Sequence, residues 1–159
     1  MLQGENAPGN VLQLQEMVKA KHEDVFKFYI LFLLGFMSGL AGGQGSRFMN
    51  TKNAEGVIVG IRGLQDLTTS TPQSIYWKFM QKRAQQMSLP TETPEDLALV
   101  RLACLIRVQG AADIAQLRGA WFALGSKERE ILVNHFLADG ITQRAFVLEF
   151  LPLCMSNAR

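Results

Sequence analysis

The chain has 159 residues, about the length of one domain, and is 48% hydrophobic and 19% charged, which excludes an intrinsically disordered polypeptide. Its 16 basic and 14 acidic side chains give a formal net charge of +2, so no nucleic-acid partner is indicated. The first ten residues lack the apolar segment of a secretory signal, and Cys104 and Cys154 lie in apolar surroundings. We therefore expect a soluble, cytoplasmic protein with two buried free thiols in a reducing compartment, and a disulfide between them is the alternative.

The first predicted helix is long and becomes strongly apolar. Residues 1–10 are polar with Gly and Pro, which predicts a flexible N-terminal lead, and helical spacing of apolar residues begins at Val11. From Phe28 to about residue 41 the sequence is apolar all round, which predicts a helix buried on all sides. This run is shorter than the roughly 20 residues that span a bilayer, so a core helix is favoured over a membrane segment.

Further helices are indicated by spacing and by capping residues. The second covers about residues 50–67, where helical spacing outweighs a short β-branched run. The third and fourth begin at Thr71-Pro72 and Thr93-Pro94, because Thr is a good N-cap and Pro suits the first helical position. They extend to about residues 87 and 108, and the fourth is apolar enough to lie near the centre. The remaining helices cover about residues 112–124, 126–138 and 142–154.

The sequence therefore predicts an all-α fold. We expect a compact bundle of six or seven helices around a central apolar helix, since helical periodicity dominates and strand patterns are nearly absent. A single all-helical domain is expected over residues 11–155, with residues 156–159 frayed at the C-terminus.

Two rows of glycines mark the first two predicted helices. Residues four apart share one face of a helix, and a face reduced to backbone lets a second backbone approach closely. Because the turn between these helices is short, we interpret the rows as a close glycine-mediated crossing of the two helices. A dimerisation face and a space for a ligand are the alternatives. The rows are Gly35, Gly39 and Gly43, followed by Gly56 and Gly60 with Gly63 beside them.

A glycine-rich loop between these helices is the best candidate for a site that binds a small anion. Its backbone N–H groups can point at an anion, and Arg47 would add a charge-assisted contact. The loop follows a helix and lacks the Lys-Ser/Thr ending of a phosphate-binding loop, so a plain interhelical turn is the alternative. The candidate ligand-binding residues are Gly42, Gly43, Gly45, Ser46 and Arg47.

The two histidines are the candidate catalytic groups. His135 and Asp139 lie four apart, so a continuous helix would place them on one face as a base and its orienting acid. His22 lies beside the apolar stripe of the first helix and is a second candidate acid–base group. For each histidine, a place at the boundary of the core is the alternative. No third ligand accompanies His135 and Asp139, so we predict no metal site and no cofactor.

No catalytic motif is present, and the sequence does not decide whether the protein is an enzyme. The preferred interpretation is a helical module that binds another protein, including a second copy of itself, or a ligand. One alternative is a hydrolase or transferase acting on a phosphorylated small molecule through the glycine loop and a histidine. The other alternative is a membrane-associated subunit that uses residues 28–41.

Overall fold

Every regular element in the part of the chain that the structure describes is a helix, which confirms the predicted all-α fold. The computed structural model describes residues 7–21, 23–39, 58–108 and 110–142. A short helical segment covers residues 58–63. The other helices are α1 (Gly9–Lys21), α2 (Glu23–Gly39), α3 (Pro72–Met87), α4 (Pro94–Leu105), α5 (Ala111–Ala123) and α6 (Ser126–Phe136).

The two Thr-Pro pairs begin α3 and α4 as predicted. The Thr71 hydroxyl accepts a hydrogen bond from the Ser74 N–H at 3.2 Å, and Pro72 is the first helical residue. At the start of α4 the Thr93 hydroxyl accepts from the Asp96 N–H at 3.1 Å, and the Asp96 carboxylate accepts from the Thr93 N–H at 3.0 Å. Such a cap contributes about 1 kcal/mol, so local sequence alone favours these two helix starts.

Helix α4 contacts α3, α5 and α6. Seven of its 12 residues are buried, as its largely apolar sequence requires. Trp121 of α5 and Phe136 of α6 belong to the same core cluster, and their ring centroids lie 6.4 Å apart. The Glu95 carboxylate accepts from the Trp121 indole N–H at 2.9 Å and pairs with Arg129 at 2.8 Å. One acid therefore joins the start of α4 to the end of α5 and to α6.

Helix α1 packs against α2 and α3. Val11 and Val18 enter the core from this helix. Gln15 is buried beside them, and its amide donates to the backbone carbonyls of Leu67 and Ser70, both at 2.6 Å. These bonds satisfy a buried polar side chain and hold the turn before α3 against α1.

Arg101 joins the two ends of the described chain. Its side chain is 4% exposed, and its guanidinium donates to the Ala7 carbonyl at 3.0 Å and to the Ala138 carbonyl at 2.8 Å. The guanidinium carbon also lies 5.3 Å from the centre of the Tyr76 ring, which is a cation–π distance. We call this arrangement the Arg101 clasp.

The backbone beside the clasp is closely packed. The Gly9 N–H donates to the Asp139 carbonyl at 2.9 Å, and a Cβ atom at Gly9 would lie 2.5 Å from the carbonyl oxygen of Gly140. Any residue other than glycine at position 9 would therefore force the start of α1 away from the backbone at Gly140. The structure thus differs from the expected flexible lead at residues 7–10, because Ala7 is fully buried and α1 already begins at Gly9.

The expected burial of α2 on all sides is wrong. One side of the helix faces the core, where Phe26 is half-buried and packs against the core cluster. The other side is exposed although it carries large apolar residues. No helix among the described residues is long and apolar enough to cross a membrane. The exposed large apolar residues of α2 are Val25, Phe28, Tyr29, Leu31 and Phe32, which are between 52% and 69% exposed.

The expected glycine crossing is not confirmed at Gly35, Gly39 and Gly60. A Cβ atom added at Gly35, Gly39 or Gly60 would meet no other atom within 4 Å, so within the described ranges no backbone approaches these glycines closely. A crossing that required glycine would leave such a Cβ no space. Gly43 and Gly56 lie outside the described residues.

Candidate interaction surface

One face of α2 presents large apolar side chains and glycines to the outside. Val25, Phe28, Phe32, Gly35 and Gly39 follow one another at spacings of three and four residues, so they form a single row along the helix. All five are exposed. We call this row the α2 stripe. Tyr29 and Leu31 lie on its two flanks.

An apolar groove lies on the inner side of the same helix. It has a volume of about 330 Å³ and runs between α1, α2 and the segment 61–68. Its walls are mainly apolar and include Val18, Phe26, Ile30 and Leu64, and Lys27 is among the few polar residues in its lining. The apolar surface of α2 therefore continues from the exposed stripe toward the core.

A second cleft lies beside the Arg101 clasp. It has a volume of about 230 Å³ and is lined mainly by apolar and aromatic side chains, among them Tyr76, Trp77 and Leu97. Burial raises the pKa of the Tyr76 hydroxyl far above its ordinary value, and the Arg101 charge offsets only part of this effect. Since the guanidinium already bonds two carbonyls, its position is explained by the fold rather than by a ligand.

His135 and Asp139 do not share a helix face, so that expectation is wrong. Helix α6 ends at Phe136, and Asp139 lies in the turn beyond it. The Asp139 carboxylate accepts from the N–H groups of Ile141 and Thr142 at 2.7 and 3.0 Å. It stabilises this turn. His135 is exposed on α6, with its ring 6.2 Å from that of Phe136.

The other predicted site residues lie outside the described residues. These are His22 and the loop residues Gly42, Gly43, Gly45, Ser46 and Arg47. Within the described ranges, no group of three or more His, Cys, Asp and Glu side chains is placed to hold a metal ion.

Cys104 is a free, buried thiol on α4, as the sequence predicts. Burial raises the pKa of this thiol, and the nearby Arg83 offsets part of the rise. A buried thiol with a raised pKa is unreactive, so it packs as a small apolar side chain. Cys154 lies outside the described residues.

The apolar run that begins at Phe28 indicated an apolar helix, but it was equally compatible with a helix buried in the core and with the exposed α2 stripe. Exposed and buried apolar helices have the same composition, and only the packing of the rest of the chain separates them. Whether the helix is buried or exposed, the row of large apolar residues and glycines from Phe28 to Gly39 indicates that this face contacts another helix.

The described structure is a helical domain with one large apolar helix face exposed. The chain matches, over residues 1–159, the model of a family described as a family of unknown function (DUF6829), and it belongs to this family. Comparisons with curated proteins and with solved structures find no match.

Proposed function

We propose that the protein is a helical protein-interaction module that binds through the α2 stripe. The supporting observation is the exposure of large apolar side chains along one helix, led by Phe28 and Leu31 at 69% and 68%. At roughly 200 Å² for a fully exposed aromatic side chain, Phe28, Tyr29 and Phe32 together expose about 360 Å². A contiguous apolar patch of this size on a protein surface is commonly a binding site.

The partner that this surface suits is another protein rather than a membrane. A helix that lies on a membrane surface usually carries Lys and Arg along its polar face. The sequence of α2 contains two acidic residues, Glu23 and Asp24, and one basic residue, Lys27, so the helix has no cationic excess to attract anionic lipid. We propose an intracellular, reducing location, which is consistent with the free thiol of Cys104.

Labelling of introduced cysteines in intact cells tests whether a protein covers the stripe. Phe28→Cys places the probe on the stripe. Phe122→Cys is the matched control, because Phe122 is 58% exposed on α5 and not on the stripe. In dilute purified protein a permeable maleimide should label both variants at similar rates.

In cells, Phe28→Cys should label severalfold more slowly than Phe122→Cys, and the protection should persist in the fraction freed of membranes. Equal labelling of both variants in cells would overturn the proposed function. Protection confined to the membrane pellet would overturn it in favour of a membrane-docked protein.

A further inference from the structure

We infer that the α2 stripe binds a second copy of this chain, with the two α2 helices antiparallel around a two-fold axis between residues 33 and 34. This inference deepens the proposed function and rests on it. An isologous pair needs a face that is complementary to itself. The stripe meets that requirement, because its bulky side chains and its glycines are placed symmetrically.

The spacing of the residues along α2 defines the register. Phe28 and Gly39 are equally far from the proposed axis, about 8 Å along the helix at about 1.5 Å per residue. Phe32 and Gly35 are likewise equidistant, at about 2 Å. In an antiparallel pair, Phe28 of one copy therefore faces Gly39 of the second copy, and Phe32 faces Gly35.

The two glycines have the space that this register requires. A Cβ atom at either Gly35 or Gly39 would meet nothing within 4 Å, so the surface above them is open to a side chain from another molecule. A parallel pair would instead place Phe28 against Phe28 and Phe32 against Phe32, so that two bulky side chains meet at each of these contacts. Shape therefore selects the antiparallel arrangement.

Charge and area are compatible with the same pairing. Residues 28–39 carry no charge, so bringing two copies together buries no like-charged pair. If they were fully covered, the exposed aromatic side chains of two copies would supply about 700 Å², and Leu31 would raise this upper limit to somewhat less than about 1,000 Å². This is near the lower limit for a specific interface, so we expect reversible association in the micromolar range.

A size exchange across the proposed contact tests the register. Phe28→Ala should weaken self-association at least tenfold, because it leaves the glycine of the second copy uncovered. Gly39→Phe should weaken it to a similar extent through a clash. The double variant restores one large and one small residue at each contact, and should recover affinity to within about threefold of the wild type. Phe122→Ala is the control and should change nothing.

Sedimentation velocity over a range of concentrations measures the association, and circular dichroism with thermal unfolding verifies that each variant is folded. A Cβ atom at Gly39 meets nothing within 4 Å in the single chain, so we expect Gly39→Phe to lose association without losing the fold. Additive weakening in the double variant would overturn the proposed register.

Crosslinking gives an independent test of orientation. Phe28→Cys and Gly39→Cys should form a disulfide when the two variants are mixed and oxidised, and neither should crosslink through its introduced cysteine alone. In the antiparallel pair, like positions are about 16 Å apart along the helices, which is too far for a disulfide. Crosslinking of Phe28→Cys to itself would overturn the antiparallel arrangement.

The two proposals can fail separately. If the purified wild-type chain stays monomeric at about 200 μM while Phe28→Cys remains protected in cells, the stripe binds a different protein, and only self-pairing is overturned. If the protection in cells is absent, the proposed function fails as well.

Discussion

Replacing Arg101 by Met should remove a large part of the stability of the described fold. The guanidinium donates two charge-assisted hydrogen bonds, at 2.8 and 3.0 Å, and each such bond contributes about 1.5–3 kcal/mol. Met fills the space of the aliphatic stem, but it leaves the carbonyls of Ala7 and Ala138 without this donor. An apolar replacement of a buried charge is harmless only when its partners are replaced too. We therefore expect a loss of about 3–5 kcal/mol.

Urea denaturation followed by circular dichroism measures this loss. For a chain of this size it corresponds to a decrease of roughly 6–20 °C in the unfolding temperature. Arg118→Met is the matched control, since Arg118 is exposed on α5, and should change stability by no more than about 0.5 kcal/mol. Arg101→Lys keeps the charge but loses the planar fork and should be intermediate. If Arg101→Met cost less than about 1 kcal/mol, the clasp would not hold the ends of the chain together.

Three further predictions concern single groups. Gly35→Ala and Gly39→Ala should each stabilise the dilute protein by up to about 1 kcal/mol in urea denaturation, because the added methyl meets open space; destabilisation would reveal a contact there. In a Tyr29→Phe background, absorbance titration should show Tyr76 ionising only well above its ordinary pKa of 10.0, because burial raises the folded-state pKa. The contribution of Tyr76 to stability should therefore be constant below pH 10.0 and decrease as the pH rises above it. Ionisation of Tyr76 near pH 10.0 in the folded protein would contradict this burial. A thiol reagent should detect the same number of thiols in native wild type and native Cys104→Ser, and one more in the wild type under denaturant; a difference in the native state would show that this thiol is accessible.

The fold class and several helix starts could be predicted because they depend on local sequence. Thr71 and Thr93 cap their helices with their own hydroxyls, and Pro follows each at the first helical position. The end of α6 could not be predicted in this way. The chain stops being helical at Phe136, where the Asp139 turn and the contact with Gly9 organise the backbone, and that contact comes from the far end of the sequence.

The exposure of the α2 stripe could not be predicted from the sequence, because it depends on which surfaces the rest of the chain covers. The apolar run from Phe28 satisfies the requirements of a core helix, and spacing alone cannot distinguish a buried glycine row from an exposed one. The hydrogen bonds of the Arg101 clasp could not be predicted either, because the sequence of an apolar helix does not show which backbone carbonyls its arginine will bond. Both features are set by contacts between residues distant in sequence.

The Arg101 clasp also has a consequence for the order in which the protein assembles during synthesis. Gly9 is synthesised long before Asp139 and Gly140, although it donates a hydrogen bond to the first and packs closely against the second. Closing a loop of this length costs about 4 kcal/mol of chain entropy before the contacts form. Helices α3 to α6 can pack while Gly9 still lacks these two partners, so the start of α1 reaches its final place late although it is made before those helices.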